Sequence, residues 1–239
     1  SPDYRIYAFF FCLNVLTTEV FMEILENILG YDKIGKLIKK FSVPCVISMV
    51  VAALYNIVDQ IFIGWSVAGE FGNAATNIVY PFTVFALGFA LMVGDGASAN
   101  FSLFLGAGKK EKANRSIGNG LLLLVVISAV ITACGFIFKA QILSLFGARP
   151  EETVCYGYAL DYYNIICFGI PFYMIGQGLN GSIRADGSPK YAMVCTFAGA
   201  IANIILDPIF IFVFNLGVRG AAIATVLSHA VGAIWILRF

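Results

Sequence analysis

Long apolar segments, separated by short stretches rich in glycine and charge, dominate the chain. Each segment is long enough to cross roughly 30 Å of hydrocarbon as an α-helix. The alternation over about ten residues that marks a barrel strand is absent, and a helix satisfies its own backbone hydrogen bonds in lipid. The pattern predicts an all-α integral membrane protein, a bundle of six transmembrane helices at about 41–65, 77–105, 117–146, 154–182, 190–215 and 219–238.

The composition agrees with this prediction. Hydrophobic residues make up 60% of the chain and charged residues 12%, with a mean hydropathy of +0.88, whereas a soluble domain carries roughly 25% charged residues. The net charge of +1 gives no electrostatic footprint for nucleic acid, so we expect the lipid bilayer and no nucleic acid as a partner. Six scattered cysteines and the single His229 lack metal-binding spacing, and we expect no cofactor.

Lysine and arginine cluster on one side of the predicted bundle. They precede the first span and lie between the second and third and the fourth and fifth spans, whereas the alternate loops carry few. By the positive-inside rule, the N-terminus and the loops 106–116 and 183–190 are predicted to be cytoplasmic. We expect a multi-pass protein of the plasma membrane.

Two aspartates lie deep in the predicted spans. Asp59 stands in LYNIVDQIFIG and Asp207 in NIILDPIF, about seven and eight residues from the outer ends of the first and fifth helices. A charge at such a depth costs at least about 2.5 kcal/mol and is by default a functional hypothesis. Their matching depth predicts one shared site. Asp95, in VGDGASANFS, is a secondary candidate, because its small neighbours also favour close helix packing.

Polar neighbours extend this predicted site. Tyr55 precedes Asp59 by four residues and Asn203 precedes Asp207 by four, so each pair shares a helix face. Such oxygen-bearing groups suit a proton or a hard cation such as sodium. The alternative, that they only hold helices together, stays open. The predicted coupling site is Tyr55, Asp59, Asn203, Asp207 and Thr225, with Asn56, Gln60 and Asp95 as secondary candidates.

Prolines lie inside the predicted spans, and three of them bear on helix breaks. Pro208 directly follows Asp207 and removes the helical hydrogen bond to the carbonyl of Ile204. Pro44 stands low in the first helix and Pro171 in the fourth. Such breaks are tolerated where the backbone lines a cavity, so we predict helix bending at Pro44 and Pro208.

Two enzyme motifs are incomplete. GAGKKEK lacks the earlier glycine and the following Ser or Thr of a phosphate-binding loop, which argues against ATP hydrolysis. The GxGD motif of an intramembrane aspartyl protease fails because Met92 stands where its first glycine belongs. We therefore expect a protein that is not an enzyme.

Four stretches together resemble the first half of a multidrug and toxic compound extrusion (MATE) transporter: FSVPCVISMVVAALYNIVDQIFIG, the second span leading to LGAGKKEKAN, GLNGSIRADGSPKYAM, and NIILDPIFIF followed by GVRGAAIATVLS. The resemblance covers roughly residues 31–239. It implies one six-helix lobe of a twelve-helix, two-lobe transporter that exports organic, often cationic, drugs and toxic compounds in exchange for protons or sodium. It also implies that Asp59, Asn203, Asp207 and Thr225 match the N-lobe cation or proton site, with Tyr55 beside it, and that Pro44 matches a proline associated with bending of the first helix.

The resemblance also divides the chain. We expect residues 31–239 to form the N-lobe, with the second lobe missing from this half-length fragment, and residues 1–30 to be an extension that does not fit the family, with Met22 as a plausible start. The predicted function is cation-coupled antiport by alternating access. Two alternatives are a flippase of the same superfamily for lipid-linked sugars and a non-transporting membrane scaffold; the first would be expected to carry basic residues in mid-span, and the second would leave Asp59 and Asp207 unexplained.

Overall fold

The structure, a computed structural model, describes residues 33–148 and 153–239. Within these ranges the chain forms seven α-helices and one π-helical segment, and no β-strand. The extension expected at 1–30, with Met22, lies outside the described residues. The helices are α1 Ile34–Trp65, α2 Gly69–Gly106, α3 Lys110–Ile137, α4 Lys139–Leu145, α5 Thr153–Ala185, α6 Pro189–Pro208 and α7 Val218–Leu237, and the π-helical segment Ile209–Val213 follows α6.

The described chain divides at Pro44 into two compact units. The first contains residues 33–43, the basic start of α1. There the Lys33 carbonyl accepts a hydrogen bond of 2.8 Å from the Lys36 amide, and the Lys40 ammonium lies 5.8 Å from the ring centre of Phe41. The second unit contains residues 44–239 and forms the helix bundle.

Five elements of the described chain are both long and apolar enough to cross a membrane: α1, α2, α3, α6 with the π-helical segment, and α7. The 33-residue α5 spans about 50 Å and is also long enough. It carries more polar side chains, among them Asn164, Gln177 and Asn180. Connections of three residues join α1 to α2, α2 to α3 and α5 to α6, and such short connections are typical of antiparallel neighbours.

The centre of the bundle is α5, which packs against α2, α3, α6 and α7. Its Tyr163 is fully buried, with its ring centre 5.0 Å from that of Phe82, and its hydroxyl donates a hydrogen bond of 3.1 Å to the Gly135 carbonyl. Such a bond satisfies the polar end of a buried tyrosine. Nearer the other end of α5, the hydroxyls of Ser98 and Ser182 are 2.9 Å apart.

Glycine permits the close crossing of α2 and α5. A Cβ atom on Gly94 would overlap the carbonyl oxygen of Gly178 and lie 2.6 Å from its carbonyl carbon. Small residues at such crossings let helix backbones approach, which is how membrane helices gain van der Waals contact. The small-residue face around Asp95 thus has a packing role.

The helices differ in their bounds from the apolar segments. The first three begin at Ile34, Gly69 and Lys110, about seven residues earlier than expected, because polar and charged residues continue a helix beyond the apolar run that marks its membrane part. The segment expected at 117–146 is two helices, since Phe138 leaves helical geometry with φ −101° and ψ 18° just before Lys139. The segment expected at 190–215 is α-helical only to Pro208.

The part of α1 from Pro44 to Trp65 lies at the edge of the bundle. Most of its large apolar side chains are exposed, including Met49 at 72% and Trp65 at 73%. The residues of α1 that are buried are Pro44, Asp59 and Ile63. A carboxyl group is thus one of the few side chains that this helix turns inward.

Candidate functional site

The carboxyl groups of Asp59 on α1 and Asp207 at the end of α6 meet inside the bundle. Asp59 is 7% exposed and Asp207 is fully buried. Each carboxyl is within side-chain hydrogen-bonding reach of the other. Two ionised carboxylates repel each other at this separation, so such a pair favours a shared proton or a bound cation.

Asn203 joins the pair one helical turn before Asp207. Its Nδ2 donates a hydrogen bond of 3.2 Å to Oδ1 of Asp207, and both side chains are buried. Three further oxygens at this place have no hydrogen-bond partner: Oδ1 of Asp59, Oδ2 of Asp207 and Oδ1 of Asn203. An orphaned buried acceptor costs about 1–3 kcal/mol. A proton or a hard cation would satisfy these oxygens, because both seek oxygen ligands.

Two tyrosines and a threonine border the carboxyl pair. Tyr55, half-buried on α1, lies close enough to both aspartates to interact with them electrostatically. Tyr162, on α5, is 8% exposed; it interacts with both carboxyls and its hydroxyl approaches the Thr225 side chain. The structure therefore brings all five predicted coupling residues into one neighbourhood.

Tyr162 was missed by the sequence reasoning. A tyrosine in an apolar segment gives no signal of burial cost, because its ring suits lipid and its hydroxyl can bond locally. Its depth in the membrane could have indicated the site. Tyr162 follows Asp161 near the outer end of the fourth span, at the depth where Asp59 and Asp207 were expected.

The secondary candidates lie outside the carboxyl pair. Asp95 is on the exposed side of α2, with its carboxylate against Gly181 of α5. Asn56 is exposed, and its Nδ2 donates 2.9 Å to the Ala52 carbonyl. Gln60 connects α1 to α2, since its Nε2 donates 3.1 Å to Oγ1 of Thr76. Of the three, Gln60 has a contact that helps to place Asp59.

The prolines have different local effects. α1 continues as a helix through the buried Pro44, whose carbonyl accepts a hydrogen bond of 2.8 Å from Oγ of Ser48. At Pro208 the α-helix ends and the π-helical segment begins, with the Phe214 amide donating 2.9 Å to the carbonyl of Ile209, five residues back. Short π-helical stretches are frequent at functional sites. This change of winding directly follows Asp207.

An ion pair lies at the end of the bundle beyond the carboxyl pair. Nε and Nη2 of Arg219, at the start of α7, are 2.9 and 3.0 Å from the two carboxylate oxygens of Asp161 on α5. The side chains are 62% and 33% exposed. Solvent screens such a pair, so it links the two helices without burying charge.

The model of the family described as MatE matches residues 44–209. The chain belongs to the MatE family. Two curated relatives are the FAD transporter of Shewanella oneidensis, 31% identical over 204 residues that cover 83% of this chain and 44% of the relative, and the multidrug export protein MepA of Staphylococcus aureus, 30% identical over 220 residues that cover 90% and 47%.

A solved MatE-family structure is similar as well. The MATE multidrug transporter DinF-BH superposes with a TM-score of 0.81 at 38% identity, over 87% of this chain and 46% of that one. These matches confirm the predicted family, its N-terminal half and the all-α membrane fold. The chain spans about half the length of the curated relatives it matches. The proteins it resembles are transporters, as the family prediction required, and not enzymes.

Proposed function

We propose that this chain is the N-lobe of a cation-coupled antiporter of the plasma membrane, which exports small organic, often cationic, compounds by alternating access. The observation that carries the proposal is the buried pair of Asp59 and Asp207, with three unpartnered oxygens around it. A static scaffold gains nothing from orphaned buried acceptors, whereas an ion-coupled transporter needs a place where a proton or sodium ion changes the charge of the interior.

The coupling would act through α1. Its segment from Pro44 to Trp65 exposes most of its apolar side chains, so few packed contacts hold it. When the pair is neutralised, Asp59 can stay against Asp207; when both are ionised, repulsion favours separation. A ligand shifts an equilibrium by its differential affinity for two states. Occupancy of the pair would thus favour one position of α1, and bending at Pro44 and Pro208 would accommodate the change.

A second lobe belongs to the proposal. The MatE relatives are about twice as long as this chain, and alternating access in related architectures moves one repeat against the other. Residues 31–239 would then form the N-lobe, and the exposed apolar side chains of α1 would belong to the wall of the cleft. The loops 106–116 and 183–190 would face the cytoplasm, since they carry the basic clusters.

The test uses a transporter that joins this lobe to a second lobe, in reconstituted vesicles with an imposed pH or sodium gradient. Asp59→Asn and Asp207→Asn should each reduce ion-coupled export at least about tenfold, because an amide cannot exchange a proton and binds sodium poorly. The control is Glu111→Gln, whose carboxylate is exposed and pairs with Arg115. Undiminished coupled export in both aspartate variants would overturn the proposal.

A second measurement separates the two coupling ions. Export is followed with and without an imposed pH gradient, and with and without an imposed sodium gradient, in which a larger organic cation replaces sodium. Loss of export on removal of sodium assigns sodium to the pair, and export that depends only on the pH gradient assigns the proton. Export that ignores both gradients contradicts ion coupling.

A further inference from the structure

A cavity of about 270 Å³ lies between α1, α5, α6 and α7. Along α5 it runs from Phe172 to Arg184, which is about 18 Å of helix. Tyr55 lines it, and Asp59 follows Tyr55 by one helical turn. The cavity therefore begins beside the carboxyl pair and ends near the loop 186–188.

The lining of this cavity is polar enough to hold water. Polar residues among those that line it are Ser48, Gln177, Asn180, Thr196, Ser228 and His229. The hydroxyls of Ser48, Thr196 and Ser228 donate to backbone carbonyls of their own helices, which leaves their oxygens as acceptors for water. One water needs about 10–15 Å³ of such space and two or more polar partners. The cavity meets both conditions for several waters.

Among the described residues that line the cavity, Arg184 is the only charged one, and none is a carboxylate. Its Nη1 lies 3.8 Å from Sγ of Cys45. A sodium ion would find no anionic ligand here and would meet a fixed positive charge. A proton can instead pass between waters and side chains that both accept and donate, such as phenol and imidazole.

His229 lies at the end of the cavity that Tyr55 and Tyr173 also line, beside the carboxyl pair. Its ring centre is 4.8 Å from that of Tyr173. The titratable and charged groups that line the cavity around it are Cys45 and Tyr55 on α1, Tyr173 and Arg184 on α5, and Cys195 on α6. An imidazole accepts a proton on one ring nitrogen and releases another from the second, so His229 can pass a proton and keep the same charge.

We propose that this cavity is a water-filled inlet that carries protons between the Asp59–Asp207 pair and the membrane face at Arg184, with Tyr55 and His229 as proton-carrying side chains. This inference rests on the proposed function, and it assigns the proton as the coupling ion of the transporter. In each passage the carboxyl O–H bond breaks and the Tyr55 oxygen accepts that proton while its own proton passes to a water. That water gives a proton to one ring nitrogen of His229, and the other ring nitrogen releases its proton to the next water towards Arg184. No other bond changes.

The first test measures whether water reaches the cavity from the Arg184 face. Cys45 lines the cavity, whereas Cys167 is buried elsewhere, with its Sγ 3.5 Å from the Thr132 carbonyl. Variants that keep only Cys45 or only Cys167 are treated in oriented vesicles with a membrane-impermeant methanethiosulfonate applied to one face at a time. Cys45 should react from the Arg184 face and Cys167 from neither. An unreactive Cys45, or one modified only from the opposite face, would overturn the inlet.

The second test blocks the cavity. At Gly176, which lines the cavity, a Cβ atom would have its nearest neighbour, the Ala233 nitrogen, 3.9 Å away, while at Gly118 on α3, which does not line it, nothing lies within 4 Å. Gly176→Leu should protect Cys45 from the reagent and slow proton-coupled export at least about tenfold, and Gly118→Leu should change neither. Folding of both is checked by size-exclusion chromatography.

The outcomes separate this proposal from the proposed function. If Gly176→Leu folds, protects Cys45 and still exports at the full rate, protons do not use the inlet, although the carboxyl pair can remain the coupling site. If Gly176→Leu fails to fold, His229→Phe takes its place, and full proton-coupled export in that variant contradicts the relay. Unchanged export in both Asp59→Asn and Asp207→Asn would instead remove the proposed function, whatever the reactivity of Cys45.

Discussion

Replacing Gly94 with alanine tests the crossing of α2 and α5 on which the bundle depends. The new methyl carbon would lie 2.6 Å from the carbonyl carbon of Gly178, whereas carbon atoms in contact are ordinarily about 3.5–4.0 Å apart. The helices would have to separate by about 1 Å, because the obstacle is backbone that cannot rotate away. Separation would also stretch the bond between Ser98 and Ser182, one turn further along.

The expected loss of stability follows from these contacts. Overpacking a well-filled site costs about 1–3 kcal/mol, and a backbone obstacle places this substitution near the upper value. For a chain of this size, 3 kcal/mol corresponds to a fall in Tm of roughly 6–12 °C. The measurement is the apparent Tm of the purified protein in detergent, followed by size-exclusion chromatography after heating.

The control lies two residues along the same helix. Gly96 is exposed, and a Cβ atom there meets nothing within 4 Å. Gly96→Ala should leave the Tm unchanged or raise it slightly, since alanine favours a helix more than glycine does. Equal Tm values for Gly94→Ala and Gly96→Ala would refute the close crossing and with it the placement of α2 against α5.

Three further predictions concern polar groups. Asn203→Ala removes the amide that donates to Asp207; a hydrogen bond to a charged group is worth about 1.5–3 kcal/mol, so ion-coupled export should fall at least about tenfold in vesicle assays, and full export would contradict the site. Burial raises the pKa of Asp186, in the turn after α5, from 3.8 to about 6; the folded state then binds more protons than the unfolded one between about pH 4 and 6, so stability falls as pH rises through this window. Asp186→Asn should flatten that part of the curve of Tm against pH, and an identical slope in both proteins would show that another group is responsible. Arg219→Gln removes an exposed pair with Asp161 and should leave the free energy of unfolding nearly unchanged; a clear loss of stability in denaturant titration would mean that the pair is shielded from solvent.

Depth along a helix was enough to predict which aspartates meet. Asp59 and Asp207 were matched by counting residues from the outer ends of their helices, and the structure places them together with Asn203. This works because a transmembrane helix converts sequence distance into depth at a constant rise. The role of the site as a coupling site stays a prediction.

Depth does not give direction around the helix axis. Asp95 also lies within an apolar segment, yet it is on the exposed side of α2, because its neighbours Gly94, Ala97 and Ser98 occupy the side that packs. Tyr162 faces inward, and the sequence did not indicate this, because a tyrosine suits both an inward and an outward position on a membrane helix. The break at Phe138 was missed because its flanking residues keep the apolar character of the segment.

The π-helical turn after Pro208 has a consequence for variation in chain length. Its hydrogen bonds enclose one residue more than those of an α-helix, so loss of one residue within Ile209–Val213 can be absorbed by rewinding as α-helix. Loss of one residue between Asn203 and Asp207 would instead rotate one side chain relative to the other by about 100° around the helix axis and break their hydrogen bond. Deletion of one residue should therefore be tolerated on the loop side of Asp207 and selected against on the other side.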